Sequence, residues 1–99
     1  MADILIRECK PEKTVTAQLS RCQDELREME YAFVQYTANK TQKNRAEIAF
    51  EAMDTITAII TLLSMLFDRE EIQAAAEYVN AKNRVRGYTK RDWHEETED

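Results

Sequence analysis

The sequence predicts an all-α protein built from three long helices. Its single glycine and single proline, Gly87 and Pro11, lie near the two ends, so the long stretch between them contains neither of the strongest helix breakers. One third of the residues are charged, at 33%, which is typical of solvent-exposed helices. A chain of 99 residues suits one small domain. We therefore expect residues 1–99 to form a single domain, with residues 1–10 as an N-terminal arm and residues 89–99 as a mobile acidic tail.

The first helix is predicted from a heptad pattern of apolar residues. Pro11 suits its first turn, where a missing N–H is tolerated, and the helix is expected to end near Ala38. The apolar spacing alternates between four and three residues over three heptads, which indicates an amphipathic helix packed in a bundle. The residues of this stripe are Val15, Leu19, Cys22, Leu26, Met29, Phe33 and Tyr36.

The second helix is predicted over residues 44–67. Asn44 and Glu47 have the spacing of an N-cap and its capping-box partner. From Ile56 to Phe67 the helix is apolar on nearly every side, so it needs cover all round. Two further helices of one chain cannot easily supply that cover. We therefore predict a homo-oligomer, with the bundle core formed through the second helices of the partner chains.

The third helix is predicted to begin at Asp68, because Asp68 and Glu71 repeat the capping-box spacing. Gly87 follows Arg86 at the position where a left-handed residue commonly ends a helix. Arg84 and Arg86 place positive charge in the last turn, where it complements the helix dipole.

Charge and composition argue against several classes of partner. The formal net charge of −5 disfavours nucleic acid as a general partner, although residues 82–91 form a short basic stretch. Thr and Ser interrupt the most apolar run, so we predict no membrane span, and the N-terminus does not resemble a signal peptide. Cys9 and Cys22 lack metal-ligand spacing and are interpreted as reduced thiols of a cytoplasmic protein.

Two pairs of acids are the candidate site. Glu25 and Glu28 lie three residues apart on the first helix, and Glu51 and Asp54 have the same spacing on the second. Each pair points one way from its helix, so side-by-side helices would bring four carboxylates together. Converging acids repel one another unless a cation lies between them, and hard oxygen ligands suit Mg²⁺ or Mn²⁺. Such pairs also occur by chance on solvated helix surfaces, so spacing alone leaves both interpretations open.

The ordered motifs resemble those of MazG-like all-α nucleoside-triphosphate pyrophosphohydrolases. Glu25-Leu26-Arg27-Glu28 is similar to that family's E-x-x-E motif, and Glu51-Ala52-Met53-Asp54 to its E-x-x-D motif. Residues 82–88 resemble a K-N-x-x-R-G-Y-like element that ends several members. The resemblance covers about residues 13–90, and it departs from the family at Thr55, where an aliphatic residue is usual.

The resemblance implies an activity and roles for particular residues. Glu25, Glu28, Glu51 and Asp54 would hold Mg²⁺, and Glu25 would act as the general base in cleaving an NTP or dNTP to the monophosphate and pyrophosphate. Lys82, Asn83 and Arg86 would neutralise phosphate charge. Tyr88 or Trp93 would stack on the base, and Tyr88 is favoured because Trp93 lies in the expected mobile tail. The family forms dimers or dimers of dimers.

Two other functions remain open from the sequence. A non-enzymatic helical adaptor would use the apolar faces of the first two helices to bind another protein, and would not need the acids. A small nucleic-acid-associated regulator would use residues 82–91, against the net charge of the chain.

Overall fold

The structure, a computed structural model, describes residues 5–87 and contains three helices. They are α1 (Val15–Ala38), α2 (Gln42–Leu66) and α3 (Arg69–Val85). The described residues include no β-strand, so the predicted all-α class is confirmed. The chain divides into two units, Met1–Leu66 with α1 and α2, and Phe67–Asp99 with α3. The expectation of a single domain stays a prediction.

The start of α1 differs from the prediction. The helix begins at Val15 rather than near Pro11, because Thr14 is its N-cap and Thr14 Oγ1 accepts a hydrogen bond from the Ala17 N–H at 3.0 Å. A threonine hydroxyl satisfies one of the unpaired N–H groups of a first turn, which a proline ring cannot do. The end of the helix at Ala38 agrees with the prediction.

The start of α2 also differs, by two residues. The helix begins at Gln42, and Thr41 Oγ1 accepts a hydrogen bond from the Asn44 N–H at 3.1 Å, so the predicted capping role of Asn44 was wrong. Asn44 lies inside the first turn instead and donates its side-chain Nδ2–H to the Asn39 carbonyl at 2.9 Å. The helix ends at Leu66, one residue before the predicted end.

Helices α1 and α2 pack against each other as an antiparallel hairpin, because only residues 39–41 connect them. We call their line of contact the seam. Its buried side chains are small or polar: Gln18, Cys22 and Ala32 from α1, and Thr55, Ala58 and Thr61 from α2. The apolar stripe predicted for α1 is only partly at the seam. Leu19, Leu26 and Phe33 are 48%, 43% and 59% exposed, because the line of α1 that faces α2 lies one position to the side of them.

A short N-terminal strap, residues 9–12, lies across the seam. The Cys9 N–H donates to Thr61 Oγ1, and the Glu12 N–H donates to Gln18 Oε1, each at 2.9 Å. The Gln18 amide also donates through Nε2 to the Ala58 carbonyl at 3.1 Å. Gln18 and Thr61 are each 1% exposed, so these bonds form away from water and hold the strap in place.

Much of the apolar surface of α2 is uncovered. By length and composition alone, α2 could cross a membrane, a test that the core helix of a soluble protein also passes. The absence of a membrane span, expected because Thr and Ser interrupt the apolar run, stays a prediction. Within the described residues, only 17% of its most apolar window is buried, so α1 covers one side of α2 and leaves the rest exposed.

The third helix follows the sequence prediction closely. Asp68 Oδ1 accepts from the Glu71 N–H at 2.8 Å, and Glu71 Oε1 accepts from the Asp68 N–H at 3.0 Å, which completes the predicted capping box. The helix ends at Val85. Gly87 follows with a φ of 73°, the left-handed conformation predicted for it.

Candidate functional site

Three of the four predicted acids converge at the seam. Glu25, Glu28 and Glu51 each present a carboxylate oxygen, and these oxygens lie within 4.8 Å of one another. We call these three residues the acidic group. Glu25 and Glu28 come from adjacent turns of α1, and Glu51 comes from α2, so the hairpin brings the two motifs together. Asp54 is one turn further along α2 and lies outside the acidic group.

The electrostatics of the acidic group show that its negative charges are mutually unfavourable. Burial is the largest cause that raises the pKa of Glu25, followed by the charges of Glu28 and Asp54, while Arg21 acts in the opposite direction. Burial likewise comes first in raising the pKa of Glu51, followed by Glu28 and Asp54. A raised carboxyl pKa means that the charged form is disfavoured where it stands. A cation bound between these oxygens would remove that cost.

A small cavity adjoins the acids on the side of the N-terminal strap. Its volume is about 150 Å³, and its lining includes Lys10, Arg21, Glu25 and Asp54. Arg21 donates from Nη1 to Glu12 Oε2 at 3.1 Å, a hydrogen bond that raises the pKa of its guanidinium. Lys10 and Arg21 therefore place positive charge beside Glu25 and Asp54 within the same unit of the chain.

A larger cavity lies on the opposite side, in the groove between α1 and α2 toward residues 39–41. Its volume is about 410 Å³, within the range of sites for small molecules. Its lining combines an exposed aromatic ring, two side-chain amides and three acids, and comprises Arg27, Glu28, Tyr31, Ala32, Gln35, Asn44, Glu47 and Glu51. Two members of the acidic group, Glu28 and Glu51, thus also line this cavity.

The predicted phosphate-binding residues lie in the other unit. Lys82 and Asn83 are half-buried in the last turns of α3, and Arg86 is exposed directly after it. The Lys82 ammonium lies 6.0 Å from the centre of the Tyr78 ring, at the outer limit of a cation–π contact. Tyr88 lies outside the described residues. The roles of all four residues stay predictions.

Several residues around the acids were not predicted from the sequence. Tyr31 and Gln35 follow Glu28 at spacings of three and seven, so helical periodicity could have placed them on the face of that acid. The strap carries no comparable signal. Its position depends on Gln18 and Thr61, two polar residues that the sequence does not mark as buried.

Comparison with protein-family models, with curated proteins and with solved structures found no match for this chain. The resemblance to MazG-like enzymes therefore depends on the motifs alone.

Proposed function

We propose that this chain is a divalent-metal-dependent nucleoside-triphosphate pyrophosphohydrolase, which cleaves an NTP or dNTP to the monophosphate and pyrophosphate. The observation that carries the proposal is the convergence of Glu25, Glu28 and Glu51, whose carboxylate oxygens lie within 4.8 Å of one another. These residues belong to two separate sequence motifs, and the hairpin joins them at one point of the seam. The adjoining cavity of about 410 Å³ offers space for an organic ligand.

The donor set fits a hard divalent cation. All the donors are carboxylate oxygens, which Mg²⁺ and Mn²⁺ prefer over nitrogen or sulfur ligands. Burial, followed by the charges of neighbouring acids, raises the pKa values of Glu25 and Glu51, and bound Mg²⁺ or Mn²⁺ would offset the repulsion. Glu25, Glu28 and Glu51 would hold the metal, and Asp54 would join them or contribute its charge from one turn away. Bound there, the metal supplies charge neutralisation for the triphosphate and lowers the pKa of a water molecule.

Glu25 is the candidate general base. It is half-buried and lines the small cavity beside the other acids, so a carboxylate oxygen of Glu25 that the metal does not use would be placed to accept a proton. In the proposed reaction, Glu25 accepts a proton from the attacking water. The water oxygen forms a bond to the α-phosphorus, the bond from that phosphorus to the bridging oxygen breaks, and pyrophosphate leaves.

The phosphate charge needs further neutralisation, and two groups of residues are proposed to supply it. Lys82, Asn83 and Arg86 would do so from the end of α3, as the family resemblance implies. Lys10 and Arg21 line the small cavity beside Glu25, so they add positive charge within the unit that holds the acids.

The test is pyrophosphate release from a panel of NTPs and dNTPs with Mg²⁺, using wild type, Glu51→Gln and the control Glu30→Gln. Glu30 is an exposed glutamate of α1 outside the acidic group, so the control makes the same chemical change away from the proposed site. We expect Glu51→Gln to lower turnover by about 100-fold or more, the scale of lost electrostatic stabilisation at a reacting group. Chelator should abolish turnover of wild type.

The alternative, a helical adaptor, predicts a different outcome of the same experiment. No release from any nucleotide, with Glu51→Gln folded as well as wild type, would overturn the enzyme proposal. It would favour a protein that uses its apolar helix faces to bind a partner.

We also propose that the chain acts as a homo-oligomer, a dimer or a dimer of dimers. Leu19, Leu26 and Phe33 on α1, with Ile56 and Ile59 on α2, are all more than one third exposed. Exposed apolar surface of this extent is typical of an interaction face. We propose that a second copy of the hairpin covers this face. We propose a nucleoside triphosphate as the ligand of the acidic group, and neither nucleic acid nor a membrane as a partner. We also propose a cytoplasmic location, on the interpretation of Cys9 and Cys22 as reduced thiols.

A further inference from the structure

We propose that the cavity of about 410 Å³ binds the nucleoside part of the substrate, with the base stacked on the ring of Tyr31. This inference rests on the proposed function, and it assigns the base-binding residues of that site. Tyr31 lines the same cavity as Glu28 and Glu51, whereas the expected stacking residue Tyr88 lies outside the described residues.

The lining residues form two rows that run away from the acids. On α1, Glu28 is followed at spacings of three and seven by Tyr31 and Gln35. On α2, Glu51 is preceded at spacings of four and seven by Glu47 and Asn44. Each row therefore extends about two helical turns, at about 5.4 Å per turn, from the acidic group toward the connecting loop. A ligand with its phosphates at the acids would lie along this groove.

Tyr31 supplies the stacking surface. Tyr31 is 66% exposed although it lines a cavity, so much of its surface is accessible to a ligand. Within residues 5–87 its hydroxyl makes no hydrogen bond. An aromatic ring held at the wall of a groove is the usual platform for a nucleobase, because every base has a π-face.

Asn44 supplies a fixed hydrogen-bond acceptor. Its Nδ2–H group donates to the backbone carbonyls of Asn39 at 2.9 Å and Gln35 at 3.4 Å. These two bonds fix the orientation of the amide and leave Oδ1 without a partner among the described residues. A nucleobase edge carries N–H groups that can donate hydrogen bonds to such an acceptor. The neighbouring Gln35 side chain adds an amide that can both donate and accept.

The charge of the cavity determines which end of the substrate it accepts. Glu28, Glu47 and Glu51 line it, against a single cation, Arg27, which is itself paired with Asp24 at 3.0 Å. Phosphate groups would be repelled from this surface except where bound metal neutralises the acids. A base and a sugar are uncharged, and sugar hydroxyls can donate to Glu47. The groove therefore favours the nucleoside end.

The test is calorimetric binding with Mg²⁺, using non-hydrolysable α,β-methylene analogues of ATP, GTP, CTP and UTP, and inorganic triphosphate as the ligand without a base. Four proteins are compared: wild type, Tyr31→Phe, Tyr31→Ala and the control Val34→Ala. Val34 is exposed on the same helix and does not line the cavity. Circular dichroism checks that each variant is helical.

We expect the preferred analogue to bind wild type about tenfold more tightly than inorganic triphosphate, in line with the contribution of one stacked base. Tyr31→Ala should remove that advantage and leave the affinity for inorganic triphosphate unchanged. Tyr31→Phe and Val34→Ala should resemble wild type. Equal binding of the analogue to wild type and Tyr31→Ala would overturn the inference.

The same proteins separate this inference from the proposed reaction. Pyrophosphate release with the same KM in wild type and Tyr31→Ala would overturn the base-binding role and leave the reaction in place. Tyr31-dependent binding without any pyrophosphate release would support the role of the cavity and overturn the reaction.

Discussion

Gln18 is the side chain whose removal should most clearly reveal how the N-terminal strap is held. It is 1% exposed and makes two hydrogen bonds, one as acceptor from the Glu12 N–H and one as donor to the Ala58 carbonyl. Gln18→Leu keeps a similar volume and removes both bonds. At about 1 kcal/mol for each buried hydrogen bond, the free energy of unfolding should fall by about 2 kcal/mol. The Ala58 carbonyl lies within α2, where it can also accept a hydrogen bond of the helix itself. The Glu12 N–H has no such second partner among the described residues, so the larger part of the loss should arise there.

The assay is urea unfolding at a fixed protein concentration, because an oligomer has a concentration-dependent stability. Gln23→Leu, at an exposed position of α1, is the matched control and should change the free energy of unfolding by less than about 0.5 kcal/mol. Gln18→Glu keeps an acceptor for Glu12 but loses the donor to Ala58, and it buries a charge at neutral pH. Its loss of stability should therefore exceed that of Gln18→Leu at neutral pH and diminish in acid. Equal stability of Gln18→Leu and wild type would refute the account of the strap.

Two further predictions concern the acids and the exposed apolar face. The pKa of Glu25 is raised in the folded state, so its ionisation costs stability above that pKa and the cost disappears as the pH falls toward the ordinary value of 4.5. In metal-free buffer at pH 8, the melting temperature of Glu25→Gln should therefore be higher than that of wild type, and this difference should shrink as the pH falls. A difference in melting temperature that does not change with pH would contradict this prediction. The second prediction concerns the exposed apolar face that includes Leu26, which is 43% exposed in the single chain. Leu26→Glu would bury a charge in the proposed interface and should reduce the sedimentation mass to that of a monomer. The control Gln23→Glu should leave the mass unchanged. A wild-type mass of one chain at micromolar concentration would refute the oligomer.

Helix boundaries were predictable from the sequence only where the capping chemistry was unambiguous. Asp68 and Glu71 form a reciprocal pair with no competing cap nearby, and the structure contains that pair. At the other two starts, Thr14 and Thr41 provide caps that compete with the residues favoured by the sequence. A threonine hydroxyl and an asparagine amide differ little as caps, so local sequence alone could not choose between Thr41 and Asn44.

The candidate site was predictable to the same limited degree. Motif spacing placed Glu25, Glu28 and Glu51 on two helices, and their convergence follows once those helices pack as neighbours. The cavity could not be predicted, because it depends on how α1 is rotated about its axis against α2. The apolar stripe indicated a rotation that buries Leu26, whereas the structure instead turns the adjacent position, Glu25, toward the seam.

The distribution of apolar residues in the hairpin is inverted relative to an ordinary helical pair. Its buried positions include Gln18, Thr55 and Thr61, whereas Phe33 and Phe50 are 59% and 61% exposed. A seam of this kind contributes little from apolar burial, since small and polar side chains remove little apolar area from water. Sequences depart from the usual packing rule mainly where another requirement competes with it. Here Gln18 and Thr61 of the polar seam hold the strap, and the acidic group lies at the same seam. The proposed second copy of the hairpin would add apolar burial on the outer faces, where Phe33 and Phe50 are exposed. On this reasoning, the proposed site and the proposed oligomer are linked, and variants that disrupt the proposed oligomer should also weaken the proposed binding of Mg²⁺ at the acids.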